Sequence, residues 1–398
     1  MLKKILIVAD AYPPSHSSAA IQIQDLAFEF NTQGIVPIVI TSEPSLKKSY
    51  LLEEMDGIKV LRLKTAAYKN MGKFRRAISE ILMSVFMIRN FKKGGFHLLE
   101  WDAIVWYSPT IFLGPFIYYL KRKRSCLSYL ILRDIFPAWA LDLEILRKGF
   151  VYYLFRSFER FQYSVADCIG IQAFGNLKYF SELNYGNVEV LQNWLTPRPA
   201  SICCINVSTL FTNNQKILVY AGNMGVAQAM GMLLDMAEIL LPRKDIGILL
   251  IGWGSDMAAL KNDAKRRGLS NVIFQNQILA DEIPSLYAQC DVGLIALDPR
   301  HKTHNIPGKF LSYIQSGLPV LAVINDGNDL HSIIDRYQIG RATSNINPLN
   351  LSNLVESIIA ELDQCDHRTQ ERCKKLCNEL FSTHSAVKQI IKSLDSLK

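Results

Sequence analysis

The turn Asp10-Ala-Tyr-Pro-Pro-Ser-His-Ser-Ser-Ala-Ala has the residue types of a binding loop and follows the apolar run Ile5–Ala9. Small residues from Ser17 to Ala20 let a backbone approach a ligand, and a helix starting there offers unpaired N–H groups to an anion. His16, Ser17 and Ser18 are the candidate polar contacts. An ordinary strand-to-helix loop capped by a serine competes with that reading. A second candidate is the pair Gly252 and Gly254, where glycine ends the apolar run Gly247–Ile251. Cysteine chemistry is a weaker prospect. Eight cysteines are scattered without a Cys-x-x-Cys spacing, which argues against a zinc site or a disulfide framework and for a reducing compartment.

The elements that must hold these clusters alternate in character. Lys4–Ala9, Pro37–Thr41, Ile58–Leu63, Ala103–Tyr107 and Ser128–Leu132 read as strands. Between them, Ala20–Asn31, Lys73–Phe91 and Phe112–Lys121 read as helices, with Gly34 as a helix stop. A second series follows the irregular stretch Pro197–Asn214: strands Ile217–Ala221, Gly247–Ile251, Val272–Phe274, Val292–Ala296 and Val320–Val323. Its helices are Ala227–Leu241, Asp256–Arg267, Ile283–Gln289 and Gly308–Ser316. Repeated β-α-β order implies parallel sheets with helices on both faces. The expected organisation is two doubly wound α/β domains, 1–196 and 215–375, joined by a linker at 197–214. A terminal segment, 376–398, is expected to cross back to the first domain. Ligands of such sheets bind at the carboxyl ends of strands, so glycine-containing turns are the places to look.

Bulk properties agree with that plan. At 398 residues the chain is long for one core, and 49% hydrophobic with 20% charged residues excludes extensive disorder. The run Ile5–Ala9 stops at Asp10, too short for a signal peptide, and no stretch approaches the length of a membrane span. A formal net charge of +8 points to an anionic partner. Nucleic acid is not expected, because no reader motif is present.

Several segments, in order, resemble the family 4 retaining glycosyltransferases, which have the GT-B fold of two Rossmann-like domains facing a cleft. The pieces are "AYPP…SSAA…LAFEFNTQGIVPIVIT", Leu132-Arg-Asp-Ile-Phe-Pro137, Lys216-Ile-Leu-Val-Tyr-Ala-Gly-Asn-Met-Gly225, "IGWGSDMAALKNDAKRRGLSNVIF", "LYAQCDVGLIALD" and "HNIPGKFLSYIQSGLPVLAVINDGNDL". Ala221–Gln228 and Ile306–Gly317 carry a narrower resemblance to the N-acetyl-L-fucosaminyl transferase branch of O-antigen and capsule synthesis. The resemblance implies transfer of a sugar, with retention, from a UDP-linked donor to a polyprenyl-diphosphate-linked saccharide. The nucleotide sugar would be a substrate, and neither a cofactor nor a metal ion is implied.

The departures from the family pattern carry information. Its Glu-x7-Glu pair falls on His304 and Ser312, so both carboxylates are absent. Its basic pair on the donor diphosphate falls on Asn223 and Gln228, beside Gly222. Neutral amides donate hydrogen bonds without neutralising charge. Lys309 is left as the leading cation, in the first turn of a helix starting near Pro307, where the dipole also favours phosphate. Asp134 is the candidate to receive the acceptor's proton or bind a sugar hydroxyl. Asn305, Asn328 and Asp329 flank the motif helix as candidate sugar contacts, although Asn and Asp are also turn formers.

Basic residues Lys69, Lys73, Arg75, Arg76, Arg89, Lys92 and Lys93 mingle with Phe74, Ile78, Leu82, Phe86 and Ile88. The run Lys121-Arg-Lys-Arg124 follows Phe116–Tyr119. Both suit a helix lying on anionic lipid, so the expected location is cytoplasmic, peripheral on the inner face of the cytoplasmic membrane. Two other readings stay open at this stage: a non-catalytic scaffold subunit, and a nucleotide-sugar epimerase or hydrolase.

Overall fold

The computed structural model describes residues 2–15, 17–67, 73–183, 185–197, 199–212, 215–300, 306–364 and 368–397, with side chains left out at 73–76. His16, Lys69, His304 and Asn305 therefore lie outside the described residues, as do the side chains of Lys73, Phe74, Arg75 and Arg76. The chain divides into two compact units: Met1–Trp194 together with Thr383–Lys398, and Leu195–Ser382.

Among the described residues, the first unit is built on an eight-stranded sheet. Its strands are β1 (Lys4–Ala9), β2 (Val36–Ser42), β3 (Tyr50–Met55), β4 (Ile58–Leu63), β5 (Ala103–Ser108), β6 (Leu127–Leu132), β7 (Cys168–Ile171) and β8 (Val188–Val190), in the order β3-β4-β2-β1-β5-β6-β7-β8. Side chains alternate across a strand, and both faces of this sheet are covered, which is why β1 is apolar from Ile5 to Ala9. Ile5, Ile7 and Ala9 join the core under the helices Ser18–Thr32 and Thr383–Ser396. Leu6 and Val8 join the core under Met83–Lys93, Gly114–Arg124 and Phe150–Val165. Gly34, at φ +79, ends the helix Ser18–Thr32 before β2.

Two expectations are corrected here. β3 runs antiparallel to β4, so the sheet is not wholly parallel. Asp56 and Gly57 both have positive φ and form the tight hairpin turn between them. The helix expected over Lys73–Phe91 is divided into Lys73–Ile81 and Met83–Lys93. Ser84, in the first turn of the second, donates to the Phe112 carbonyl and accepts from the Phe116 amide.

The second unit has strands β9 (Lys216–Asn223), β10 (Ile246–Trp253), β11 (Val272–Asn276), β12 (Val292–Ala296), β13 (Val320–Val323) and β14 (Gly340–Thr343), all parallel, in the order β11-β10-β9-β12-β13-β14. Helices Gly231–Leu240, Met257–Arg266 and Pro348–Gln364 cover one face. Gly308–Gln315, Asp329–Tyr337 and Arg368–Leu380 cover the other. The helix expected from Ala227 begins at Gly231, because a single 3-10 turn and a left-handed Ala229, at φ +45, come first. The described part of 197–214 packs on this unit. Cys204 N donates to Glu282 at 2.7 Å, Val207 N donates to Gln289 at 3.0 Å, and Val207 and Phe211 are buried.

The terminal helix Thr383–Ser396 belongs to the first unit. Gln389 donates to the Val190 carbonyl at 2.9 Å, and Ser393 bonds Glu189 at 2.8 Å. Among the described residues, no helix is long and apolar enough to cross a membrane.

Candidate functional site

In the second unit the winding reverses at β9. The chain goes from β9 outward to β10 and β11, then returns to place β12 on the other side of β9. The carboxyl end of such a strand is where a doubly wound sheet opens a crevice. Three segments meet there: the turn after β9, the turn after β10, and the start of the helix Gly308–Gln315.

The two turns are brought together by glycine. A Cβ on Gly252 would lie 1.9 Å from the Gly222 carbonyl oxygen, and one on Gly254 would lie 2.2 Å from that of Met224. Both have φ near +150, a region closed to ordinary side chains. Met224 N donates to Trp253 O at 2.7 Å, and Asp256 N donates to Met224 O at 3.0 Å. Gly252 and Gly254 thus shape the crevice. The Trp253 indole between them is 55% exposed.

Lys309 is the second residue of its helix, whose N-cap, Pro307, supplies no side-chain bond to the first amides. Its side chain runs over Gly222, where an added Cβ would stand 3.4 Å from Cε. Nζ donates to the Tyr220 hydroxyl at 3.0 Å and lies 4.5 Å from the ring centroid. That hydroxyl donates in turn to the Asn223 carbonyl at 2.6 Å, tying the ammonium to the turn. Burial pulls the Lys309 pKa down from 10.5 to about 8. Burial also pushes the Tyr220 phenol well up, so it stays neutral. Among the described residues no carboxylate pairs with Lys309. A desolvated cation held, among the described residues, by a neutral hydroxyl has the chemistry to bind an anion.

The other candidates of this unit divide by role. Gln228 Oε1 accepts from Asn223 Nδ2 at 3.2 Å and from Gly225 N at 3.1 Å, so these amides stiffen the turn under Lys309. Ser312 lies one helical turn beyond Lys309, half-exposed, its hydroxyl 3.5 Å from the Gly308 carbonyl. Asn328 is buried and caps the helix Asp329–Tyr337. Its Oδ1 accepts from Leu330 N at 3.1 Å, and its Nδ2 donates to Asn325 at 2.9 Å. Asp329 opens that helix, where a carboxylate complements the dipole.

In the first unit, Ser17 is the N-cap of the helix Ser18–Thr32, with Oγ accepting from Ala20 N at 3.3 Å. Ser18 is its exposed first residue. Beneath this loop Tyr12 is buried, and desolvation raises its phenol to about 12. Asp134 follows β6 and is half-buried.

Its neighbour Arg133 was missed by sequence reasoning. Only 6% exposed, it stacks 4.5 Å from the Trp194 ring centroid and donates Nη1 to the Leu191 carbonyl at 3.2 Å. By strict geometry its Nε and Nη2 have no hydrogen-bond partner among the described residues, although the Tyr107 side chain lies beside the guanidinium. Burial lowers its pKa, while the neighbouring Tyr107 and Asp134 favour its charge. The available signal was an arginine ending an apolar strand, an expensive place for a charge without a task. Tyr220 and Trp253, also missed, were hidden among strand residues.

The run Lys121–Arg124 is engaged within its unit. Lys121 pairs with Asp167 at 2.6 Å, and Arg124 donates to the carbonyls of Leu98 and Leu99 and lies over Trp101.

No family model matches the chain. It is similar to WbjE of Pseudomonas aeruginosa, a probable glycosyltransferase, with 24% identity over 243 residues, 59% of this chain and 60% of that one. It is also similar to WcaI of Escherichia coli strain K12, named as a colanic acid biosynthesis glycosyl transferase. That identity is 25% over 227 residues, 54% of this chain and 56% of the relative. The matches therefore span less than two thirds of either relative.

Among solved structures, sucrose-phosphate synthase from Thermosynechococcus elongatus superposes with a TM-score of 0.76 at 12% identity, covering 99% of each chain. Anabaena HepE in complex with UDP-glucose gives 0.69 at 15% identity, covering 100% of each. At such identities the likeness speaks for the fold. Taken with the two doubly wound units, the fold of this chain is GT-B.

Proposed function

We propose that this protein is a glycosyltransferase of surface-polysaccharide assembly. It would transfer a sugar from a UDP-linked donor to a polyprenyl-diphosphate-linked saccharide. The observation carrying this reading is Lys309: a desolvated ammonium without a carboxylate partner among the described residues, over Gly222 at the sheet's switch point. Support comes from the relatives WbjE and WcaI, both named as glycosyltransferases, and from the HepE complex with UDP-glucose. N-acetyl-L-fucosamine is the first sugar to test, on the sequence resemblance of Ala221–Gln228 and Ile306–Gly317.

In the proposed reaction, the bond from the anomeric carbon to the diphosphate oxygen breaks with its electron pair going to the phosphate. The acceptor hydroxyl bonds that carbon on the same face, giving retention. Lys309 and the uncapped amides at the start of its helix stabilise the charge on the leaving diphosphate. Asp134 is assigned to the acceptor hydroxyl, as proton acceptor or hydrogen-bond partner. The work is done on the cytoplasmic face of the membrane, where the acceptor is held.

The test is acceptor-dependent release of UDP from a panel of UDP-sugars, compared with Lys309→Ala. Release that needs the lipid-diphosphate acceptor and is lost in the variant supports the transferase. Release without acceptor would support a hydrolase. Nucleotide binding without turnover on any acceptor would support a scaffold, the reading favoured by the absence of both motif carboxylates.

A further inference from the structure

The segment entering the helix Phe150–Val165 carries an apolar patch flanked by cations. Ile145, Phe150, Val151 and Tyr153 are all exposed, Phe150 at 83% and Tyr153 at 61%. Arg147 and Lys148, also exposed, stand in their midst, and no carboxylate among the described residues pairs with either. Glu144 is the one acidic residue from 144 to 153. Isolated exposed apolar residues are ordinary, but four within nine positions, two of them aromatic, form a surface.

The position of this patch is fixed by aromatic contacts. Phe155 stacks on Phe112 at 6.0 Å and on Phe136 at 5.3 Å, residues that follow β5 and β6. The helix therefore begins at the carboxyl edge of the sheet. Phe150, five residues earlier, projects about 7 Å further along the axis. Asp134 lies two residues before Phe136, on the same rim. The neighbouring helix Met83–Lys93 also starts there, since Ser84 bonds the Phe112 carbonyl, and it presents exposed Leu82 and Val85. Lys121–Arg124 lies at the opposite end of its helix. Lys121 reaches Asp167, which holds the Ser128 amide at the start of β6.

We infer that the rim formed by Ile145–Tyr153, with Leu82 and Val85, docks on an anionic lipid bilayer and sets the carboxyl edge bearing Asp134 against it. Aromatic and aliphatic side chains enter the interface while adjacent Arg147 and Lys148 meet anionic headgroups, the composition of an interfacial helix. A protein partner needs no such cations beside its apolar contacts. This deepens the transferase reading, which requires a lipid-held acceptor, and it moves the lipid contact away from Lys121–Arg124.

The test is co-sedimentation of the full chain with phosphatidylcholine vesicles, with and without phosphatidylglycerol. Turnover of a water-soluble, short-chain acceptor is followed alongside. The expected result is salt-sensitive binding to the anionic vesicles only. The pairs Phe150→Ser with Tyr153→Ser, and Arg147→Glu with Lys148→Glu, should each weaken it about tenfold or more. Arg122→Glu with Lys123→Glu should leave it unchanged, and soluble turnover should be kept throughout. Vesicle binding unaffected by the rim variants, or abolished by the Arg122 and Lys123 pair, would overturn the inference. So would rim variants that lose only a concentration-dependent dimer, which would make the patch a contact between copies. Loss of soluble turnover in wild type would count against the transferase reading, leaving the vesicle result to stand by itself.

Discussion

Each sheet ends beside one desolvated cation packed on an aromatic ring, and the two are held in opposite ways. Arg133 in the first unit is walled in, stacked on Trp194 and bonded to a backbone carbonyl, its Nε and Nη2 without a hydrogen-bond partner among the described residues. Lys309 in the second is half-buried on a flexible stem over Gly222, with a phenol hydroxyl as its hydrogen-bond partner. An incoming anion can replace the weak partner of Lys309 without dismantling anything. It would have to open the core of the first unit to reach Arg133. On the proposed reading, Lys309 is the binding residue and Arg133 a positioning one, acting through the adjacent Asp134.

The largest effect should therefore fall on Lys309→Ala. Losing a group aimed at developing negative charge costs about 10²–10³-fold in kcat. The variant should melt no lower than wild type, because a desolvated charge has been removed. Arg133→Met should also fold, since apolar replacements of buried charges are tolerated. Its kcat should fall about tenfold through misplacement of Asp134, with the donor KM unchanged. Equal damage to donor KM in both variants would break the distinction.

A smaller effect concerns pH. With its pKa pulled from 10.5 to about 8, Lys309 loses its proton in the free protein as pH rises through about 8, and donor binding should weaken above it. Stability moves the other way. Between about 8 and 10.5 the unfolded chain binds more protons at this residue than the folded one, so its contribution to stability increases with pH. Donor affinity and thermal midpoint measured from pH 7 to 10 should diverge in wild type, and the divergence should vanish in Lys309→Ala. Arg133 contributes no such titration, because a guanidinium keeps its proton across this range.

Much of this plan is legible in the sequence because buried parallel strands leave continuous apolar runs. β1, β2, β5, β6, β9, β10 and β12 were read on that basis. β4 was read as a strand, but its hairpin partner β3 was overlooked despite Asp56-Gly57, since the apolar residues of β3, Tyr50–Leu52, are exposed and give way to Glu53-Glu54. The helix Phe150–Val165 was missed although its sequence is amphipathic; polar Glu159 and Gln162 stand among its fully buried residues, while Phe150, Val151 and Tyr153 are exposed. Lys309 could be singled out by its place after Pro307-Gly308. Tyr220 and Arg133 could not, because their significance lies in contacts across 89 and 58 positions of sequence.

The smallest effects divide two residues of the second unit: Asn328, a candidate sugar contact, and Ser312, which stands where the family pattern has a carboxylate. Asn328 is committed to the backbone of its own helix and to Asn325, so Asn328→Ala should cost about 1 kcal/mol of stability, as lost caps do. Ser312 is half-exposed one turn beyond Lys309, with only a long bond to Gly308, so Ser312→Ala should leave stability unchanged. If its hydroxyl serves the nucleotide, the donor KM should rise a few-fold, in line with about 1 kcal/mol for a neutral hydrogen bond. Unchanged donor KM in Ser312→Ala would confine donor recognition to Lys309 and the turn beneath it. The second unit would then hold its nucleotide chiefly through the diphosphate.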